Sequence, residues 1–393
     1  MSQRYYLSAL GIINALGYGK HAIMQGLFQG DTSGMTLEQG WLHEGTARVG
    51  RTRGELPQIP SHLADFSSRN NQLLLAAMLE IEAEIAAAIA HFGPARIGVV
   101  IGSSTSGMAE GEAAVMAQQT NGHLPEGYQY LQQELGTPAL FASRYLKLSG
   151  PAYTVSTACT SSAKAFQSAR NLLKHGICDA VLVGGVDTLC KLTINGFTAL
   201  ESTSAALCQP MSLNRQGINI GEGAAFFILS KQASSIELLG IGESSDAYHM
   251  SAPEPEGRGA ESAMRAALTD ASLKPEAIGY LNLHATATRK NDEMESHAVA
   301  RVFPAGVPCS GTKPLTGHTL GAAGATELAF CWLALQHQQL PPHIWDGIVD
   351  DTLSPLTFTE QDQAFSGHGR RCMSNSFAFG GSNTSLIIGD AIT

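Results

Sequence analysis

The chain is short of charge. Only 15% of its 393 residues are Asp, Glu, Lys or Arg, and the basic ones form no block. Without such a block a phosphate backbone cannot be neutralised, and the formal net charge of −10 acts in the same direction, so broad nucleic-acid binding is excluded. Cysteine is scarce as well. Its 7 residues are odd in number, widely scattered and without a CxxC pair, which excludes a disulfide framework or a cysteine zinc site as the device that holds the fold. No apolar run reaches the length of a bilayer crossing and no secretory signal is read at the start, so a reducing cytoplasm is the expected compartment. Low-complexity tracts are missing too. Glycine is abundant, at 42 residues, in a chain long enough to bury a large core as two or three domains or as one fold of two similar halves.

The apolar pattern chooses among these. Short glycine-bounded runs at 97–101 and 180–185 read as strands buried on both faces, with further strands at 153–155 and 279–283. Helical spacing marks residues 71–91, 159–175, 261–271 and 320–336. Strands alternating with helices predict an α/β fold in two halves, 1–235 and 236–393. A weak internal echo supports the division: strand, Cys159 and helix in the first half against strand, His284 and loop in the second. Residues 30–62 and 117–138, polar or glycine-rich with little periodicity, read as loops that cap a site.

One stretch places a nucleophile. Val155-Ser156-Thr157-Ala158-Cys159-Thr160-Ser161-Ser162-Ala163 sets a thiol among small residues where a strand meets a helix. Ala163, Phe166, Ala169 and Leu173 recur at helical spacing until Gly176. The helix N-terminus is expected to favour the thiolate, the reactive form. A lone cysteine is ordinarily buried and inert, so the neighbouring motifs matter. His284 follows a strand in Leu283-His284-Ala285-Thr286-Ala287-Thr288, where two threonines alternate as hydroxyl donors. His318 lies between Lys313 and Gly324, just ahead of a helix, and is expected to be a neutral hydrogen-bond donor. Glu295 and Glu327 are the expected counter-charges of Lys313. The segment Asn375-Ser376-Phe377-Ala378-Phe379-Gly380-Gly381-Ser382-Asn383 offers main-chain N–H groups and a ring as a gate. Gly102 to Gly107 imitates a phosphate loop but lacks the lysine and the spacing.

Taken in order, Cys159, His284, Lys313 with His318, and the Phe377 to Gly381 loop resemble the motifs of the elongating, decarboxylating β-ketoacyl-[acyl carrier protein] synthases, over nearly the whole chain. The runs Ser244 to Met250 and Gly221 to Ala224 share in the resemblance. It implies a thiolase-like fold, two similar βαβαβ-type halves in five layers (α-β-α-β-α). Cys159 would carry the acyl group, His284 and His318 would hold the charge that develops as malonyl loses CO₂, and Lys313 would order the histidines. The N–H groups of Cys159 and Phe379 would form the oxyanion hole, with Phe377 beside the gate. Thr286 and Thr288 would meet the phosphopantetheine arm, Thr105 would gate the acyl pocket, and Phe197 would line it. The partners implied are an acyl carrier protein, met through a patch that includes Arg48, Arg51, Arg53 and Arg69, and a second subunit, either identical or a chain-length factor. No metal and no organic cofactor is expected.

The sequence departs from that family at Ala285, where a glycine is usual, and at Ser212 and Gln216, where the turn Pro210 to Gly217 has lost two acids. A small polar gate at Thr105 points to a polyene or aryl polyene pathway rather than bulk fatty acid synthesis. Three rival classes share parts of this pattern. A coenzyme-A-dependent thiolase or initiating synthase shares the fold, but the initiating type pairs its Cys with His and Asn. A papain-like protease has no use for the Lys313 to Gly324 motif. A non-catalytic chain-length factor usually lacks the cysteine, which leaves open that this chain is the catalytic half of such a pair.

Overall fold

The computed structural model describes residues 3–366 and 370–391. The first half supplies β1 (Tyr6–Asn14), β2 (Ile97–Gly102), β3 (Ala152–Val155), β4 (Ala180–Asp187) and β5 (Gly223–Ser230), ordered β3-β2-β4-β5-β1. The second supplies β6 (Ile236–Ser245), β7 (Tyr280–Asn282), β8 (Pro308–Ser310), β9 (Arg371–Phe377) and β10 (Ser382–Asp390), ordered β8-β7-β9-β10-β6, with Thr357–Phe358 added at the edge beyond β8. The second order is the first advanced by five strands. In each sheet the three strands at one end pair in parallel and the last two pair antiparallel. The sheets join edge to edge where Tyr6 of β1 pairs with Glu237 of β6.

Period-two alternation explains the layering. Val181 and Val183 of β4 and Ala225, Phe227 and Leu229 of β5 face a central core, while Leu182, Val186, Phe226 and Ile228 face an outer one. The central core is filled by the Ser161–Lys174 and Ala323–His337 helices, lying between the two sheets. The Arg69–Glu80 and Thr137–Tyr145 helices cover the outer face of the first sheet; Arg258–Asp270 and Arg289–Val302 cover that of the second. Five layers result, two sheets and three of helices.

The structure corrects several sequence expectations. The helix expected at 71–91 breaks at Ile81, whose φ of −121° and ψ of 28° leave the helical region. The loop expected at 30–62 contains the hairpin Met35–Gln39 and Thr46–Gly50, which pairs with Ile220–Gly221 as a separate small sheet. The segment 117–138 holds the end of the Met108–Asn121 helix and the short turn Tyr130–Gln133. The internal echo also shifts. By strand order β3 corresponds to β8, so Cys159 is matched by Lys313 and His318, whereas His284, after β7, is matched by Ser103 to Thr105, after β2.

The two central helices touch with almost no separation. A Cβ placed on Gly324 would stand 2.8 Å from the Cβ and backbone N of Ala163. Gly324→Ala should therefore force the helices apart and lower unfolding stability by about 1–3 kcal/mol, measured by urea denaturation. Gly196→Ala, on a helix where a Cβ meets nothing within 4 Å, should raise it by up to about 1 kcal/mol.

Candidate active site

The reactive groups gather at the carboxyl ends of the parallel strands, where open α/β sheets place their clefts. Between β3 and its helix the backbone turns through Ala158, at φ 50°, so that Cys159 lies just ahead of the first helical residue, Ser161. The Cys159 sulfur is buried and sits 2.9 Å from Nε2 of His318. Burial lifts the thiol from its ordinary 9.0 to about 11, against the charge of Lys313 and the N–H groups of Phe379 and Cys159, which pull it down. This reverses the expectation of a resting thiolate. The net cost to the anion is about 3 kcal/mol here, more than the ~0.3–1 kcal/mol that a helix terminus contributes.

His318 is held through its backbone. Its N–H donates to the Asn219 carbonyl at 2.7 Å, and its own carbonyl accepts from Gly221 N–H at 2.9 Å. Gly317, at φ 71°, makes the turn that delivers it. His284 is held differently: Glu295 accepts from the N–H groups of His284 and Ala285, each at 2.7 Å, and pins the end of β7. The two rings stand edge to face with centroids 5.4 Å apart, and Phe377 meets His284 from another side at 6.0 Å. Burial first, then the charge of Lys313, holds both histidines well below their ordinary range, so both are neutral near pH 7.

Lys313 is the buried cation at the centre. Its Nζ lies 2.5 Å from Glu327 Oε1, donates to the His284 carbonyl, and lies 3.5 Å from His284 Nδ1. An ammonium offers only donors, so Nδ1 accepts and the ring proton sits on Nε2, the nitrogen left for the cavity. That assignment bears on metal binding. One donor atom each from Cys159, His284 and His318 lies within 4.8 Å of the others, a spacing that suits a soft divalent ion. With its proton on Nε2, His284 presents a donor there instead of a lone pair, and the nearby ammonium repels a cation. The centre is built for an anionic oxygen.

The other residues expected from the sequence divide. Phe197, Phe377, Phe379, Thr286 and Thr288 line a cavity of about 500 Å³ that has Cys159, His284 and His318 in its wall. Phe197 packs on Phe379 with centroids 5.3 Å apart, and the two threonine hydroxyls are 2.9 Å from each other. Thr105 is not in the cavity wall; its hydroxyl and N–H both go to Asp187 at 2.7 Å, so it gates nothing here. Glu295 makes no direct ion pair with Lys313, although the ammonium still favours its charge; two backbone N–H groups hold its carboxylate, and among the described residues Glu327 is the direct partner. Ala285, at φ 42°, adopts the left-handed backbone that glycine would adopt freely. Ser212 and Asn214 donate to Asp346, each at 2.7 Å, so a carboxylate returns to this turn from another loop.

The arginines expected to form a docking patch are engaged within the fold. Arg51 pairs with Glu38 at 2.8 Å and Arg69 with the buried Glu222 at 2.5 Å. Arg48 donates to the carbonyls of Ala205 and Met35, and Arg53 to that of Ser33. Sequence reasoning missed Asp187. Its carboxylate accepts from Ser103, Ser104, Thr105 and the N–H of Ala322, tying the end of β2 to the turn that precedes the Ala323 helix. The signal was present: an acid closing a strand whose other residues are all apolar or glycine.

Comparison with known proteins agrees with this geometry. The family model described as Beta-ketoacyl synthase, N-terminal domain, matches residues 39–234, and that of the C-terminal domain matches residues 236–345. Nodulation protein E of Rhizobium meliloti (strain 1021) is 31% identical over 98% of this chain and 99% of its own length. The 3-oxoacyl-[acyl-carrier-protein] synthase 2 of Coxiella burnetii is 33% identical over 75% of each chain. Among solved structures, a chain from the complex of the ketosynthase ApeO with its chain length factor ApeC from Xenorhabdus doucetiae shares 47% identity and a TM-score of 0.95, covering 99% of this chain and 98% of that one. The fold is thiolase-like, and the chain belongs to the beta-ketoacyl synthase family, enzymes that join an acyl thioester to a malonyl unit by decarboxylative Claisen condensation.

Proposed function

We propose that this chain is the catalytic subunit of an elongating ketosynthase, with Cys159 as acyl carrier and His284 and His318 as the oxygen-binding pair. The observation that carries the assignment is the convergence of the Cys159 sulfur, His318 Nε2 at 2.9 Å and the Lys313-oriented ring of His284 in one cavity wall. Acyl transfer starts from a thiol that must lose its proton to neighbouring groups as it attacks a thioester on the phosphopantetheine arm of an acyl carrier protein. The N–H groups of Cys159 and Phe379, both directed at the sulfur, are placed to receive the carbonyl oxygen in turn. Malonyl thioester then loses CO₂, negative charge develops on its oxygen, and the two neutral imidazoles donate to it. The carbanion attacks the acyl-Cys159 carbonyl and releases the sulfur. The thioester already activates the carbon, so no metal or organic cofactor enters this scheme.

The proposed partners are an acyl carrier protein and a chain-length factor. The support is the likeness to the ApeO and ApeC complex and to the ishigamide ketosynthase/chain length factor, the latter at 25% identity over the whole chain with a TM-score of 0.88. A conjugated polyene is the proposed acyl class: the Phe197 and Phe379 rings, packed on each other in the cavity wall, offer aromatic surface to a flat chain.

Intact-mass analysis of wild type and Cys159→Ala with acyl-loaded carrier should show an adduct on wild type alone, discharged to a β-ketoacyl carrier when malonyl carrier follows. Absence of the adduct with the chain-length partner present would assign this chain the tunnel-shaping part instead. His318→Ala should still accept the acyl group while CO₂ release falls about a hundredfold, the usual cost of losing one such donor; loss of acylation would overturn this division of work. Because the thiol titrates near 11, alkylation of Cys159 by iodoacetamide should climb about tenfold per pH unit through pH 9 without levelling. Lys313→Met, which removes the charge that lowers the thiol, should move the midpoint still higher.

A further inference from the structure

Two cations that line the cavity have no partner among the described residues. Arg289 and Lys290 line the cavity that ends at Cys159, both are exposed, and among the described residues neither forms a hydrogen bond or ion pair through its side chain. They occupy the first turn of the Arg289–Val302 helix, where the macrodipole repels positive charge. Local stability therefore does not account for them. A second observation is the loss of an acid in the same wall: Gln216, neutral where the family turn carries a carboxylate, lines this cavity beside Arg215, whose own charge is met by Asp350. The acids that remain in the wall are Glu201 and Asp246, and Asp246 is already engaged by Asn383 Nδ2 at 2.6 Å and Glu254 N–H at 3.1 Å.

The path between the cations and the sulfur is a single segment. His284, Thr286 and Thr288 line the cavity in succession, and Arg289 and Lys290 come next along the chain. A ligand whose sulfur reaches Cys159 while its amides pass the threonines brings its far end to these two residues. In a phosphopantetheine arm that far end is a phosphate.

We infer that Arg289 and Lys290 form an anion subsite for the phosphate of the phosphopantetheine arm, with the neutral Gln216 in the same wall leaving it free of a repelling carboxylate. The inference rests on the ketosynthase reading of the cavity, and it locates recognition of the carrier in the arm rather than in the arginines of the N-terminal hairpin.

Binding tests it without turnover. The full chain is titrated calorimetrically with 4′-phosphopantetheine and with pantetheine, which differ only in the phosphate. Wild type should prefer the phosphorylated ligand by roughly tenfold, the scale of two exposed charge contacts, and the preference should shrink as salt rises. Arg289→Gln with Lys290→Gln should bring the ratio close to one, whereas Arg289→Lys with Lys290→Arg, which keeps both charges, should preserve it. A ratio of one in wild type, or a ratio that survives the double glutamine change, overturns the subsite. If only carrier-borne substrate weakens on substitution while the small-ligand ratio is already one, the cations face the carrier's own surface and the proposal also fails. A phosphate preference in a protein that forms no acyl adduct would leave the subsite standing and bring down the condensing assignment.

Discussion

The buried ammonium of Lys313 is the constraint on which the site depends. It is buried, so its charge must be met inside the fold, and Glu327 at 2.5 Å meets it. The remaining donors go to the carbonyl and Nδ1 of His284. From that one placement follow the tautomer of His284, a further lowering of both imidazoles beyond what burial causes, and a partial offset to the desolvation of the Cys159 thiol. A neutral residue in its place would leave Glu327 buried without a partner and His284 free to turn over. The same charge makes the centre inhospitable to cations, which suits chemistry that passes through an anionic oxygen.

Symmetry brings the parts together. Each half of the chain runs its strands in the same order, so the helix that follows β3 and the helix that follows β8 occupy corresponding places between the two sheets. Their N-terminal ends meet because the contact at Gly324 and Ala163 has no room for a side chain. Cys159 leads into one helix and His318 precedes the other, which is how residues 159 positions apart come to lie at 2.9 Å. His284 enters from the neighbouring strand end and Phe379 from the β9 to β10 turn, so four separate strand ends compose one wall.

Much of this was legible in the sequence. The apolar strands at 97–101 and 180–185, the small residues around Cys159 and the two histidine motifs each have a local physical cause that sequence displays. The failures also have causes. Glu295 reads as a counter-charge because its sign is right, but two backbone N–H groups at the end of β7 claim it first. Thr105 reads as a gate, but Asp187, 82 positions later, takes its hydroxyl. The four N-terminal arginines read as a free patch, yet Glu38, Glu222 and three backbone carbonyls hold them. The competitors lie between 10 and 157 positions away, further than a local pattern reaches.

The sequence by itself determined the two-half α/β class, the choice of Cys159, His284 and His318 as the candidates for the site, and the absence of any run able to cross a bilayer, because periodicity, turn residues and composition act over neighbouring positions. Tertiary structure alone decided the protonation of Cys159, which depends on how completely neighbouring layers exclude water. It alone decided which half-motifs correspond, since strand order is invisible along the chain. It also decided which charges are committed and which face a cavity. Electrostatic energy depends on distance and burial, and both are set only when the sheets close over the central helices.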